Sequence, residues 1–184
     1  MREVSYDKQI LALDLARMTG WALGYVHDRV PMSGSIAFAN ADATMARMFS
    51  NARIDLRDFL SLNPEIGLVV FESPLLPMHM QGKTSINAIR QLIGLASVVE
   101  ELLYTLGKYD VREARVSDVR KHFLGSNRNK RAEAKKQTIE TCRRLGWAPQ
   151  DDNAADALAL WHYQASILEP KLAIQTNPLF RRRG

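Results

Sequence analysis

Cysteine is almost missing from this sequence: Cys142 is the only one among 184 residues. A single thiol excludes an intramolecular disulfide framework and any zinc site built from several thiolates, and it suits a reducing compartment. Long apolar runs are missing as well. No stretch approaches the roughly 20 apolar residues that span a bilayer, and the opening Met1-Arg2-Glu3-Val4-Ser5-Tyr6-Asp7-Lys8 has no apolar signal core. The expectation is a soluble, cytoplasmic protein with no membrane partner. Internal repeats and low-complexity segments are also lacking, and His27, His79, His122 and His162 do not fall at a metal-ligand spacing.

What is present is an ordinary globular composition, 46% hydrophobic and 24% charged, in a length that fits one domain. The formal charge of +5 is unevenly spread. Residues 1–107 hold 9 Lys/Arg and 11 Asp/Glu, residues 108–147 hold 12 and 5, and residues 148–184 hold 4 of each. The whole excess, +7, sits in the middle segment of forty residues. Such a segment is either a solvated charged surface or a phosphate-binding face, and composition does not choose between them.

Gln9-Ile10-Leu11-Ala12-Leu13-Asp14-Leu15 is an apolar run closing on a carboxylate, the pattern of a central strand buried on both faces. Residues 19–26 and 30–38 predict two more strands, making an antiparallel start. From Asp42 the apolar residues Met45, Met48, Phe49, Ala52, Leu56, Phe59 and Leu60 recur at helical spacing until Asn63-Pro64. Residues 66–72 form a second buried strand that again ends on an acid, Glu72, before a Pro-bounded loop over 73–83. A long helix over 84–106 follows, with an apolar stripe broad enough for the core and for a second copy of the chain. Residues 110–116 predict a strand, Ser117 a cap for a short helix to Phe123, and 132–145 a helix stopped by Gly146. Asp151 or Asp152 caps a last helix to about Leu168. Residues 1–168 are thus the folded domain, and 169–184, ending in Arg181-Arg182-Arg183-Gly184, a tail.

Two strands and one late helix therefore supply separated acids. Asp152 and Asp156 are four apart and share a helix face, where like charges repel unless a cation lies near. Hard divalent ions take oxygen ligands from a few carboxylates plus substrate phosphate. In a two-ion site one ion activates water while the other stabilises the leaving oxygen of an in-line displacement at phosphorus. Each acid alone is more simply a strand end or a helix cap; the ordered set is what carries information.

That set also resembles a known family. Ile10-Leu11-Ala12-Leu13-Asp14 with Thr19-Gly20-Trp21-Ala22, then Val69-Val70-Phe71-Glu72, then Ala154-Ala155-Asp156-Ala157-Leu158-Ala159 resembles the RuvC-type Holliday junction resolvases, particularly the divergent phage forms. The resemblance runs in order over residues 9–165. It implies an α/β, RNase H-like fold: a five-stranded mixed sheet flanked by helices. It further implies a magnesium-dependent endonuclease, with manganese as substitute and two ions, that nicks four-way DNA junctions symmetrically as a homodimer in a bacterial cell or phage-infected host. Carried over by position, Asp14 is the first-strand acid, Glu72 the fourth-strand acid and Asp156 the last-helix acid. The family usually places an acid or histidine three residues before the last Asp, where this chain has Asn153; Asp152, one position earlier, is expected to serve, with Asn153 a weaker neutral ligand. The family's Pro-Gly after the first acid is replaced by Leu15-Ala16.

Lys135 matches the family lysine that precedes the final acidic helix, with Lys136 beside it, and Arg120-Lys121 falls where another basic residue is expected. Arg128, Lys130 and Arg131 lie between them, so these seven residues are the expected DNA contacts. The loop after Glu72 offers Leu75, Leu76, Met78, His79 and Met80, either for packing or for wedging between unstacked bases at a crossover. Two other classes compete. One is a DNA-binding or packaging factor with a metal site weakened by Asn153. The other is an actin-like kinase or ATPase, which the lack of a repeated second half disfavours.

Overall fold

Alternation along the apolar runs decides how the sheet is covered. In the computed structural model, which describes residues 6–74, 85–107, 110–126 and 130–172, the strands are β1 (Gln9–Asp14), β2 (Met18–Tyr25), β3 (Met32–Ala37), β4 (Ile66–Glu72) and β5 (Asp110–Ala114). They form one sheet in the order β3-β2-β1-β4-β5. β1 runs antiparallel to β2 and parallel to β4, β2 antiparallel to β3, and β4 parallel to β5. Alternate residues Ile10 and Ala12 of β1, with Leu68 and Val70 of β4, face one side, where α3 (Val116–Leu124), α4 (Arg131–Arg144) and α5 (Asp152–Leu168) cover them. Leu11, Leu13, Val69 and Phe71 face the other side, under α1 (Met45–Leu62) and α2 (Ile86–Leu106). Both central strands are therefore apolar on both faces, and their polar residues appear only where they end.

The expected mixed sheet of five strands is present, and its helices follow the predicted order with shifted ends. Thr44 caps α1 by accepting the Arg47 amide at 3.2 Å, and Ser85 caps α2 by accepting from Ala88 at 3.2 Å. Ser117 is not the cap of α3. β5 pairs with β4 as far as Ala114, whose carbonyl accepts the Ser73 amide at 2.8 Å, and Arg115 takes the cap position without a side-chain bond. Of the two candidate caps for α5, Asp151 is the one used, accepting from the Ala154 amide at 2.8 Å.

α5 is apolar nearly all round because it is wedged between the sheet and its two neighbouring helices. Trp161, 1% exposed, donates its indole N–H to the Gly24 carbonyl at 3.3 Å. Burying a large side chain of this kind contributes roughly 1.5–3 kcal/mol. Trp147 is buried beside it, whereas Trp21 is only half-buried, edge-on to Phe59. His122 and His162, expected in ordinary surface or core roles, are core neighbours with ring nitrogens 2.8 Å apart. Pro170–Leu172 forms a 3-10 turn, and Leu172 packs on the core, so packed chain extends past 168. Among the described residues no helix is long and apolar enough to cross a membrane. Leu75, Leu76, Met78, His79, Met80, Arg128 and the tail from 173 onward lie outside the described residues.

Candidate active site

β1 and β4 are adjacent and parallel, so their carboxyl ends lie side by side. Asp14 continues the Ile10–Ala12 alternation and Glu72 the Leu68–Val70 alternation, which aims both carboxylates at the side covered by α5. The turn after Asp14, where Leu15-Ala16 stand, is closed by Thr19: its hydroxyl donates to the Ala16 carbonyl at 2.7 Å and accepts the Ala16 amide at 3.1 Å.

The start of α5 is set onto the same end of the sheet by two contacts that sequence reading assigned no role. Ser35 on β3 donates its hydroxyl to Asp151 Oδ1 at 2.8 Å. Gly20 on β2 lies so close under the helix that a Cβ there would stand 2.0 Å from the Asn153 carbonyl oxygen. Gly20 was visible in the Thr19-Gly20 pair, but only the fold reveals that its missing side chain makes room for the helix.

The three elements enclose a cleft of about 360 Å³ whose walls include Asp14, Glu72, Asn153 and Asp156 together with Arg120, Arg131 and Lys135. A smaller cavity of about 40 Å³ lies behind Glu72 and Asp156, with Arg120, Lys135 and Thr138 around it. The structure thus brings together Asp14, Glu72, Asp156 and three of the expected basic residues. Lys121, Lys130 and Lys136 are exposed and do not line the cleft.

Asp152 does not line it either; Asn153 does. At the first turn of α5 the two side chains diverge. The Asp152 carboxylate accepts a hydrogen bond and ion pair from Lys135, and that bond, followed by the backbone N–H groups of Asp152 and Asn153, holds its carboxyl below the ordinary range.

The other three acids are pushed the opposite way. Burial, and then the charges of Asp14 and Asp156, raise Glu72 to about 8 against the pull of Arg120. Burial and the Asp14 charge raise Asp156 to about 7, with Lys135 and Arg120 opposing. Asp14 rises to about 6 through burial, with Lys135 and Arg131 opposing. Each has the dry, like-charged surroundings that a nearby cation relieves.

The donor set is all oxygen, three carboxylates and an amide, which fits a hard divalent ion. Among the described residues no group of three or more His, Cys, Asp or Glu forms a ready-made metal site.

The sheet order and the acids at its carboxyl edge define the class, an α/β protein of RNase H-like fold. Solved structures with this fold include RuvC from Thermus thermophilus, at a TM-score of 0.63 and 13% identity over 89% of this chain and 96% of that one. T. thermophilus RuvC in complex with Holliday junction substrate gives 0.67 and 12% over 90% and 97%. The yeast mitochondrial Holliday junction resolvase Ydc2 gives 0.61 and 11% over 95% and 85%. At such identities the likeness is one of fold. No protein-family model and no curated protein matches the sequence.

Proposed function

We propose that this chain is a divalent-metal-dependent endonuclease that cuts branched DNA, with the four-way junction as its main substrate. The observation that carries this reading is the meeting of Asp14, Glu72 and Asp156 in one cleft whose remaining walls hold Arg120, Arg131 and Lys135. Bound there, a pair of magnesium or manganese ions supplies an activated water and charge neutralisation at the departing 3′ oxygen. Asp14, Glu72 and Asp156 would hold the ions with Asn153 adding a neutral oxygen, and Arg120, Arg131 and Lys135 would bind the phosphate beside them. Burial of the carboxylates keeps bulk water from competing for the same oxygens.

Two symmetric nicks require two such clefts, which favours a homodimer. α2 offers a face for it, since Ile86, Ile93 and Tyr104 are 74%, 46% and 88% exposed. The fold neighbours support the same reading, one being a Holliday junction resolvase and another a complex with Holliday junction substrate. The deciding experiment compares matched four-way, three-way, flap and linear DNA with magnesium, manganese or chelator, for wild type and Asp156→Asn. Paired symmetric nicks on the four-way substrate, lost in Asp156→Asn and in chelator, are expected; metal-independent or junction-indifferent cutting refutes the assignment. Asn153, standing where an acid is usual, favours a second reading, a DNA-binding factor of the same fold. Tight junction binding with no cleavage in either metal would select it.

A further inference from the structure

Asp152 has the residue type of a ligand and the position of something else. It lies four residues from Asp156, yet its side chain is 41% exposed and absent from the cleft wall, while Lys135, its partner, is 32% exposed and stands in that wall. The oxygens of Asp152 are committed to the Lys135 ammonium and to the amides of its own first helical turn. Drawing them toward the other acids would break the pair and leave an ammonium loose beside the site. An ion pair this exposed adds little to stability. What it does is select one position for a flexible four-carbon side chain, and the position selected lies on the cleft wall next to Asp156.

We propose that Asp152 is a positioning residue for Lys135 and not a metal ligand: it holds the ammonium at the cleft wall, where it receives a phosphate of the DNA strand lying against the carboxylates. The proposal rests on the nuclease reading above for the nature of the ligand. It assigns the metal-holding role to Asp14, Glu72, Asp156 and Asn153 and makes the acid at 152 part of the phosphate grip.

The test uses the full chain and two readouts, Mn²⁺ binding by calorimetry without DNA and four-way junction binding in chelator. Asp152→Asn is expected to bind Mn²⁺ within about two-fold of wild type, whereas Asp156→Asn weakens it at least roughly ten-fold. Junction affinity falls about 3- to 10-fold in Asp152→Asn and in Lys135→Ala, and the double variant is no weaker than the worse single one. Thermal melts confirm that all variants fold. Loss of Mn²⁺ in Asp152→Asn equal to that in Asp156→Asn overturns the proposal, as does a double variant weakened by the product of the two single effects. A wild type that binds no Mn²⁺ but shows the coupled loss of junction affinity removes the nuclease reading and leaves the Asp152–Lys135 grip standing. A wild type that binds no junction removes both.

Discussion

Replacing Asp156 by Asn should make the metal-free protein more stable, and increasingly so as pH rises from about 4 to about 7. Asp156 titrates at about 7 in the fold against an ordinary 3.8. Because the folded value is the higher one, ionisation favours the unfolded chain. The group's stabilising contribution is whole below pH 3.8 and is lost as pH rises through about 7. At pH 8 the folded protein carries this charge at a cost on the order of 4 kcal/mol, from 1.36 kcal/mol per pKa unit. Asn keeps the shape and removes the charge. Asp156 accepts no hydrogen bond from the described residues, so the substitution orphans no described partner. If half of the cost is recovered, a domain of this size gains roughly 4–8 °C in Tm. Thermal melts of wild type and Asp156→Asn in chelator, at pH 5 and pH 8, measure it. The variant should lead by that margin at pH 8 and by about a third of it at pH 5, where the unfolded chain is already ionised but Asp156 in the fold is still protonated. Magnesium should raise wild type at pH 8 and barely move the variant. A variant no more stable than wild type at pH 8, or stabilised equally at both pH values, refutes the reasoning that Asp156 is charged against its burial and the neighbouring Asp14 charge.

Gly20→Ala puts a methyl group 2.0 Å from the Asn153 carbonyl and should lower stability by about 1–3 kcal/mol by denaturant unfolding. Because the displaced element is the start of α5, cleavage should fall further than the stability loss explains. Arg120→Ala and Arg131→Ala should each weaken junction binding and reduce the slope of log K against log salt by about 1, read from a titration series. Unchanged slopes would place these cations away from DNA.

Much of the cleft was legible in the sequence because its parts announce themselves locally. A doubly buried strand must be apolar, so the acid that ends it stands out, as Asp14 and Glu72 do. Gly107, Gly125 and Gly146, all at positive φ, mark helix ends by local geometry alone. The fourth acidic position was not legible, because Asp151, Asp152 and Asn153 can each cap a helix or face a site. Ser35, far away on β3, fixes the cap at Asp151 and thereby the directions of the next two side chains. The cap of α3 is not Ser117 because the helix begins at Val116, directly after Arg115, so Ser117 already lies inside its first turn. His122 and His162 are 40 residues apart, and no local pattern announces that they touch. Burial pushes His122 down to about 4, so it stays neutral in the core.

β1 and β4 are neighbours in the sheet but distant in the chain, and α5 is later still. The acids of the cleft therefore meet only after the long-range parallel pairing is made and the last helix has docked, the slowest kind of contact for a chain to form. A nascent or partly unfolded polypeptide holds every one of these carboxylates and none of their arrangement.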